Sequence, residues 1–295
     1  MPTIPAKTIV SGYRKDGWFG SNFNMNIYKG CCHGCIYCDS RSDCYLVENF
    51  DTVRAKANAL AVIENDLKSK RKTGIVMTGA MSDAYNPFEK ELELTKGALR
   101  LVDKYRFGIA IDTKSDLVLR DSEILKAIQQ HSPVAINFTI TTADDTLCKK
   151  IEQHVSVSSN RFRAIKELSS QGIMCGVLLM PVLPFINDKE ENILQIVRTA
   201  YQNGARWIYA GDAFGVTLRQ NQRDYFYQKL DEQFPGLKQK YIHNYGNTYG
   251  CISPNNQRLW LVFKAECDKT GLLYRMSDIA ENIKRNYSSK QMSLF

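Results

Sequence analysis

The chain has 295 residues and a formal net charge of +8, longer than most single domains but within the range of a barrel built from strands and helices. Hydrophobic residues make up 44% and charged residues 24%, which excludes a disordered or collagen-like chain. No run approaches the ~18 apolar residues of a membrane span, and the first residues lack a basic and an apolar region of the secretory type, so a cytoplasmic protein with no membrane partner is expected.

The predicted elements alternate along the chain. Phe23–Tyr28 reads as a first strand, and Val53, Ala57, Leu60, Ile63 and Leu67 then recur at helical spacing. Strands follow at Ile75–Thr78 and Gly108–Thr113. Arg120, Asp121 and Ser122 open a helix with a side-chain oxygen at its cap. After a fourth strand, Val134–Ile140, the run Thr142 to Asp145 resembles a capping box. A fifth strand spans Met174–Val182. Ile193, Val197 and Ala200 mark a cover helix that Gly204 ends, and Trp207–Gly211 is the sixth strand. This is the rhythm of βα units on a parallel sheet. Six units rather than eight predict an α/β fold, a partial (β/α)6 TIM-like barrel over residues 1–218 with its active face at the carboxyl ends of the strands. From Gln220 the pattern turns helical, giving a C-terminal extension over 219–287 packed on the barrel, with His243–Ser253 as a loop and 288–295 as a flexible tail.

Directly after the first strand comes Gly30-Cys31-Cys32-His33-Gly34-Cys35-Ile36-Tyr37-Cys38. Four of the nine cysteines crowd here without a secretion signal, which points to metal rather than disulfides. Cys31, Cys35 and Cys38 have the spacing C-x3-C-x2-C. Three thiolates bind three irons of a [4Fe-4S] cubane and leave the fourth open, whereas an electron-transfer cluster takes four cysteines. An open iron can take the amino and carboxylate groups of S-adenosylmethionine. Glycines at 30 and 34 suit a loop that wraps tightly. The rival reading is structural zinc on Cys32, Cys35, Cys38 and His33, in a nucleic-acid-binding module without catalysis. No second C-x2-C knuckle follows to complete such a site.

This spacing resembles the radical S-adenosylmethionine (radical SAM) superfamily, and the run Tyr28 to Cys38 resembles its spore photoproduct lyase-like members. The segments Ser82 to Glu89 and Thr113 to Asp121 carry the resemblance further, to about Asp188. It implies reductive cleavage of S-adenosylmethionine, and Tyr37 against the adenine. It also implies cofactor contacts at the strand exits, from Gly79, Ser82 and Asp83 after the second strand and from Lys114 and Ser115 after the third. Thr139 and Thr141 would stand near the ribose, and Pro181 would line the adenine pocket. Gly79 is also an ordinary turn glycine, Ser82 or Asp83 could cap the next helix, and Thr139 is an ordinary strand residue. The resemblance further implies a reductant such as flavodoxin or ferredoxin and a DNA substrate. No cysteine here matches the hydrogen-donor position of spore photoproduct lyase. RNA, a peptide or a small metabolite therefore stays open as the substrate. Gln291, Ser293, Leu294 and Phe295 resemble the peptide by which bacterial repair proteins dock on the sliding clamp, with two apolar anchors beside a polar residue. Tyr241, Tyr245, Tyr249, Trp18, Trp207 and Trp260 could stack bases or fill the core.

Overall fold

The computed structural model describes residues 1–13, 15, 17–79, 81–285 and 287; the tail peptide at 291–295 lies outside them. Six strands lie parallel in one sheet: β1 (Phe23–Met25), β2 (Ile75–Thr78), β3 (Gly108–Thr113), β4 (Val134–Thr139), β5 (Met174–Leu178) and β6 (Trp207–Tyr209). They stand side by side in chain order, and an antiparallel strand, Val10–Gly12, borders β1. Every residue of β2, β3 and β4 is buried, which is why these strands read as near-continuous apolar runs.

The outer face is covered by helices that present an apolar stripe. They are α1 (Ala59–Lys68), α2 (Leu94–Lys104), α3 (Ser122–Gln129), α4 (Ser158–Ser170) and α5 (Glu190–Gln202). Ile63, Leu99, Leu125, Ile165 and Ile193 all join one buried cluster with Ile109, Ile136 and Val177 of the sheet. The inner face carries its residues in layers set by strand register. Met77, Ala110 and Ala135 share one layer, Asp112, Asn137, Gly176 and Trp207 the next, and Thr139, Leu178 and Tyr209 a third. A Cβ on Gly176 would overlap the Trp207 indole, so glycine is what lets this ring lie across the sheet.

The sheet has two edges, β6 and Val10–Gly12, so the barrel is open on one side. Residues from both halves of the chain fill the gap. Phe19, fully buried, sits 6.3 Å from the Trp207 ring and 6.4 Å from Tyr209, and it shares a cluster with Ile279 and Ile283.

Four helices follow the barrel: α6 (Gln220–Gln233), α7 (Leu237–Tyr245), α8 (Asn256–Thr270) and α9 (Met276–Lys284). α8 lies along α5, with ion pairs Arg198–Glu266 at 2.8 Å and Arg258–Glu190 at 2.7 Å. No helix among the described residues is long and apolar enough to cross a membrane.

Several boundaries differ from the sequence reading. The first strand breaks at Met25, and Tyr28–Lys29 pairs instead with Arg54–Lys56 in a small separate sheet. Val53 and Ala57 therefore precede the helix rather than belong to it. Asn58, left-handed at φ 51°, turns the chain into α1. The fifth strand ends at Leu178 and the sixth at Tyr209. Asp121 caps no helix because its carboxylate is taken by Arg120 and the Tyr85 hydroxyl. The helix after β4 is capped by Asp144, whose side chain accepts from Thr146 and Leu147. Inside the expected loop at 243–253, α7 continues to Tyr245 and Gly250–Ile252 forms a strand against Gly215–Thr217.

Candidate active site

The cysteine loop sits at the carboxyl ends of the strands, where the chain leaves β1. Gly30 is left-handed at φ 80°, and a Cβ there would stand 2.5 Å from the Thr52 carbonyl oxygen and 2.7 Å from that of Phe50. Only glycine allows this close approach. The Cys31 N–H donates to Phe50 O at 2.8 Å, and the Ile36 N–H to Ile151 O at 3.0 Å. His154 N–H donates to His33 O at 3.0 Å, and Cys35 makes a β-bridge with Glu152. From the helical extension, Gln222 Nε2 donates to Tyr37 O at 2.9 Å. The loop is thus pinned by the chain after β1, the chain after β4 and α6.

All nine cysteines are free, Cys35 buried and Cys31 and Cys38 half-buried. Burial pushes the Cys31 thiol up to about 12 and raises Cys35 and Cys38 as well. Thiols so placed stay protonated at neutral pH unless a metal displaces the protons. Three thiols on one tight loop suit a cubane, whose cysteines each bind a different iron. Among the described residues no three His, Cys, Asp or Glu side chains converge on a single-ion position. Cys32 packs against the apolar core, Cys148, Cys175, Cys251 and Cys267 are buried, and Cys44 is exposed.

The exits of β2 and β3 brace the loop. Ser82 Oγ donates to Gly30 O at 2.6 Å. Asp83 accepts from Thr113 Oγ1, Tyr85 N and Lys114 N, each at 2.8 Å. Neither residue caps a helix. Gly79, at φ 103°, lies so close to β3 that a Cβ would overlap the Asp112 carbonyl oxygen. Ser115 Oγ accepts from Leu117 N at 3.3 Å and opens the next helical turn. Lys114 holds its ammonium 5.9 Å from the centre of the Tyr37 ring. Burial opposes its charge, but Cys35, Glu152, Asp83 and Cys38 keep its pKa above the ordinary lysine range. Thr139, Thr141 and Pro181 stand at the exits of β4 and β5 rather than on the loop itself. The Thr141 hydroxyl is buried without a partner, and so is the Asn26 carbonyl oxygen beyond β1.

Sequence reasoning missed the charges beneath the loop. Glu152 accepts the Tyr37 hydroxyl and pairs with Arg161 at 2.6 Å; both side chains are about 1% exposed or less. Arg161 also donates to Thr139 O at 2.7 Å and Ser156 O at 2.6 Å. Burial would raise the Glu152 carboxyl, but Arg161 and Lys114 hold it below its ordinary value. A signal existed, because Arg161 falls on the stripe of Ala164, Ile165 and Leu168, an apolar face where a charge needs a partner. His33, buried beside Asp83 at 3.6 Å, is kept neutral by burial. In the inner layer, Trp207 Nε1 donates to Asn137 Oδ1 and Asn137 Nδ2 to Asp112 Oδ1, both at 2.8 Å. Burial pushes the Asp112 carboxyl up to about 7. A cleft of about 300 Å³ opens beside the loop between His33, Tyr85, Ser115, Asp116 and His154. A larger one, about 400 Å³ at Arg206 and Leu273, lies at the amino end of β6, away from the cysteines.

The family model for the radical SAM superfamily matches residues 25–197. The uncharacterized protein MJ0683 of Methanocaldococcus jannaschii is 33% identical over 175 residues, 58% of this chain; the match spans 64% of that relative's length, less than two thirds. The uncharacterized protein Rv2578c of Mycobacterium tuberculosis is 29% identical over 232 residues, 76% of this chain and 67% of its own. Among solved structures, spore photoproduct lyase complexed with dinucleoside spore photoproduct matches with a TM-score of 0.64 at 12% identity. That alignment covers 88% of this chain and 78% of the other, a likeness of fold.

Proposed function

The chain belongs to the radical SAM superfamily, and from that premise we propose that Cys31, Cys35 and Cys38 hold a [4Fe-4S] cluster and that the exits of β2 to β5 bind S-adenosylmethionine. The observation that carries this reading is the C-x3-C-x2-C loop fixed at the carboxyl ends of a parallel half-barrel, where βα folds keep their chemistry. Bound together, the cluster and S-adenosylmethionine would supply 5′-deoxyadenosyl radical chemistry, with the electron coming from a donor such as flavodoxin or ferredoxin.

The chain's own residues bind, orient and shield. Gly79 brings backbone close to Asp112 of β3, and Lys114 offers a cation for a carboxylate. Tyr37 supplies an aromatic face, Thr139 and Thr141 supply polar groups at the exit of β4, and Pro181 closes the exit of β5. Ser82, Asp83 and Ser115 keep the loops around them in register. The barrel gap, filled by Phe19 and α9, excludes water from the inner face.

The substrate we favour is DNA carrying a damaged base, with the enzyme acting as a carbon–carbon lyase. Support comes from the shared fold with spore photoproduct lyase and from the excess of basic residues, 39 against 31 acidic. The sliding-clamp-like sequence at 291–295 fits the same setting.

The test is anaerobic. Reconstituted protein should bind about four irons and four sulfides per chain and release 5′-deoxyadenosine faster with ultraviolet-irradiated DNA than with intact DNA. Equal rates with both would end the DNA reading, and stimulation by RNA, a peptide or a metabolite would replace it. Colourless protein carrying one zinc would overturn the cluster itself.

A further inference from the structure

The buried charges under the cysteine loop have no part in the scheme above, and their geometry is specific. Glu152 meets the loop twice, its backbone bridging Cys35 and its carboxylate taking the Tyr37 hydroxyl. The other carboxylate oxygen pairs with Arg161, whose guanidinium also binds the last carbonyl of β4. A chain of contacts therefore runs from the sheet, through Arg161 and Glu152, to the residue lying between two of the cysteines. Lys114 faces the same ring from the end of β3. Around the loop this sets the carboxylates of Glu152 and Asp83 against the cations of Arg161 and Lys114.

We infer that Glu152 is a positioning residue for the cluster: it fixes Tyr37, and with it the Cys35–Cys38 segment, and it offsets the two cations, Lys114 and Arg161, that stand near Tyr37. The inference rests on the cluster ligation proposed above. It has two separable consequences. Without the Tyr37 hydroxyl the loop is less firmly tied and iron leaves more easily. Without the carboxylate's charge the cluster lies next to uncompensated positive charge, which favours its reduced, more negative form.

The experiment uses the full chain, reconstituted anaerobically without S-adenosylmethionine, and two readouts. One is the rate at which a ferrous chelator bleaches the cluster, and the other is its midpoint potential by dye-mediated titration followed by electron paramagnetic resonance. Tyr37→Phe should speed bleaching about tenfold, as loss of one hydrogen bond to a charged acceptor implies. Its potential should move less than that of Glu152→Gln. Glu152→Gln should bleach faster and shift the potential upward. Because that variant leaves Arg161 buried and unpaired, it can fail to fold. The double variant Glu152→Gln with Arg161→Met restores the charge balance and should return the potential toward wild type while bleaching stays fast. Wild-type bleaching in Tyr37→Phe, or a potential in the double variant still displaced upward from wild type, would overturn the inference. Wild-type protein that never takes up iron and sulfide would instead strike the cluster reading beneath it.

Discussion

Replacing Gly30 by alanine tests how tightly the cysteine loop is built. At φ 80° an alanine adopts a conformation that costs about 1–2 kcal/mol. The added Cβ would also meet two backbone oxygens, Thr52 at 2.5 Å and Phe50 at 2.7 Å, neither of which can swing away as a side-chain end could. Reaching even 3.0 Å requires shifts of 0.5 and 0.3 Å (3.0 − 2.5 and 3.0 − 2.7) in the turn that accepts the Cys31 N–H. Overpacking of this kind costs about 1–3 kcal/mol. The lost flexibility of the unfolded chain returns about 0.4–1 kcal/mol. The net expectation is a loss of roughly 1–5 kcal/mol, a substantial part of the 5–15 kcal/mol typical of a domain. Urea unfolding of the iron-free protein should show a lower midpoint with an unchanged slope. Gly271→Ala is the control, since Gly271 has φ 76° and nothing within 4 Å of a Cβ. It carries the conformational cost without the steric one. Equal losses in the two variants would refute the claim that the loop is pressed against residues 50–52.

Other expectations follow from the same geometry. Cys35→Ala should abolish iron retention, whereas Cys32→Ala, which trims a side chain packed on the core, should leave it largely intact; equal iron loss would overturn the ligand assignment. Asp112, raised from 3.8 to about 7 by burial, binds a proton in the folded state that the unfolded chain releases, so between pH 4 and 7 its contribution falls as pH rises. The stability of Asp112→Asn relative to wild type should therefore improve from pH 5 to pH 7.5, by at most about 2.5 kcal/mol; urea curves showing a constant difference would deny the shift. Trp207→Phe removes the donor to Asn137 Oδ1 and should cost about 2–4 kcal/mol in unfolding free energy. Gln222→Ala frees the Tyr37 carbonyl from the helical extension and should increase proteolysis within residues 31–45 of iron-free protein, a pattern visible by mass spectrometry.

Much of this fold is written in local pattern. Strands buried on both faces are mostly apolar, so β2 and β3 are legible to the residue. The break after Met25 is not, because Ile27 and Tyr28 are as buried and as β-prone as the strand before them. What separates them is pairing with Arg54–Lys56, a partner nearly thirty residues away. The cysteine spacing exposes the candidate metal loop at once. Glu152 and Asp112 carry no such signature, since an acidic residue in a sequence is ordinarily solvated, and only the assembled sheet shows what each one faces. The sequence offers Ser82 and Asp83 as cofactor contacts or helix caps, but not as the residues that bind Gly30 and Lys114.

The charge arrangement also explains why the loop needs so many supports. Three thiols, one buried and two half-buried, whose pKa values are all raised form a site that resists ionisation until metal arrives. A loop left to itself would relieve this by turning its cysteines toward water. Here the backbone is held by Phe50, Ile151 and Gln222, which are remote from one another in sequence, and Lys114 and Arg161 supply positive charge nearby. The thiols therefore keep their places in the loop although burial disfavours their anions, and iron has only to take the protons' place. The helical extension takes part in that environment through Gln222, so the cysteine site is a property of barrel and extension together.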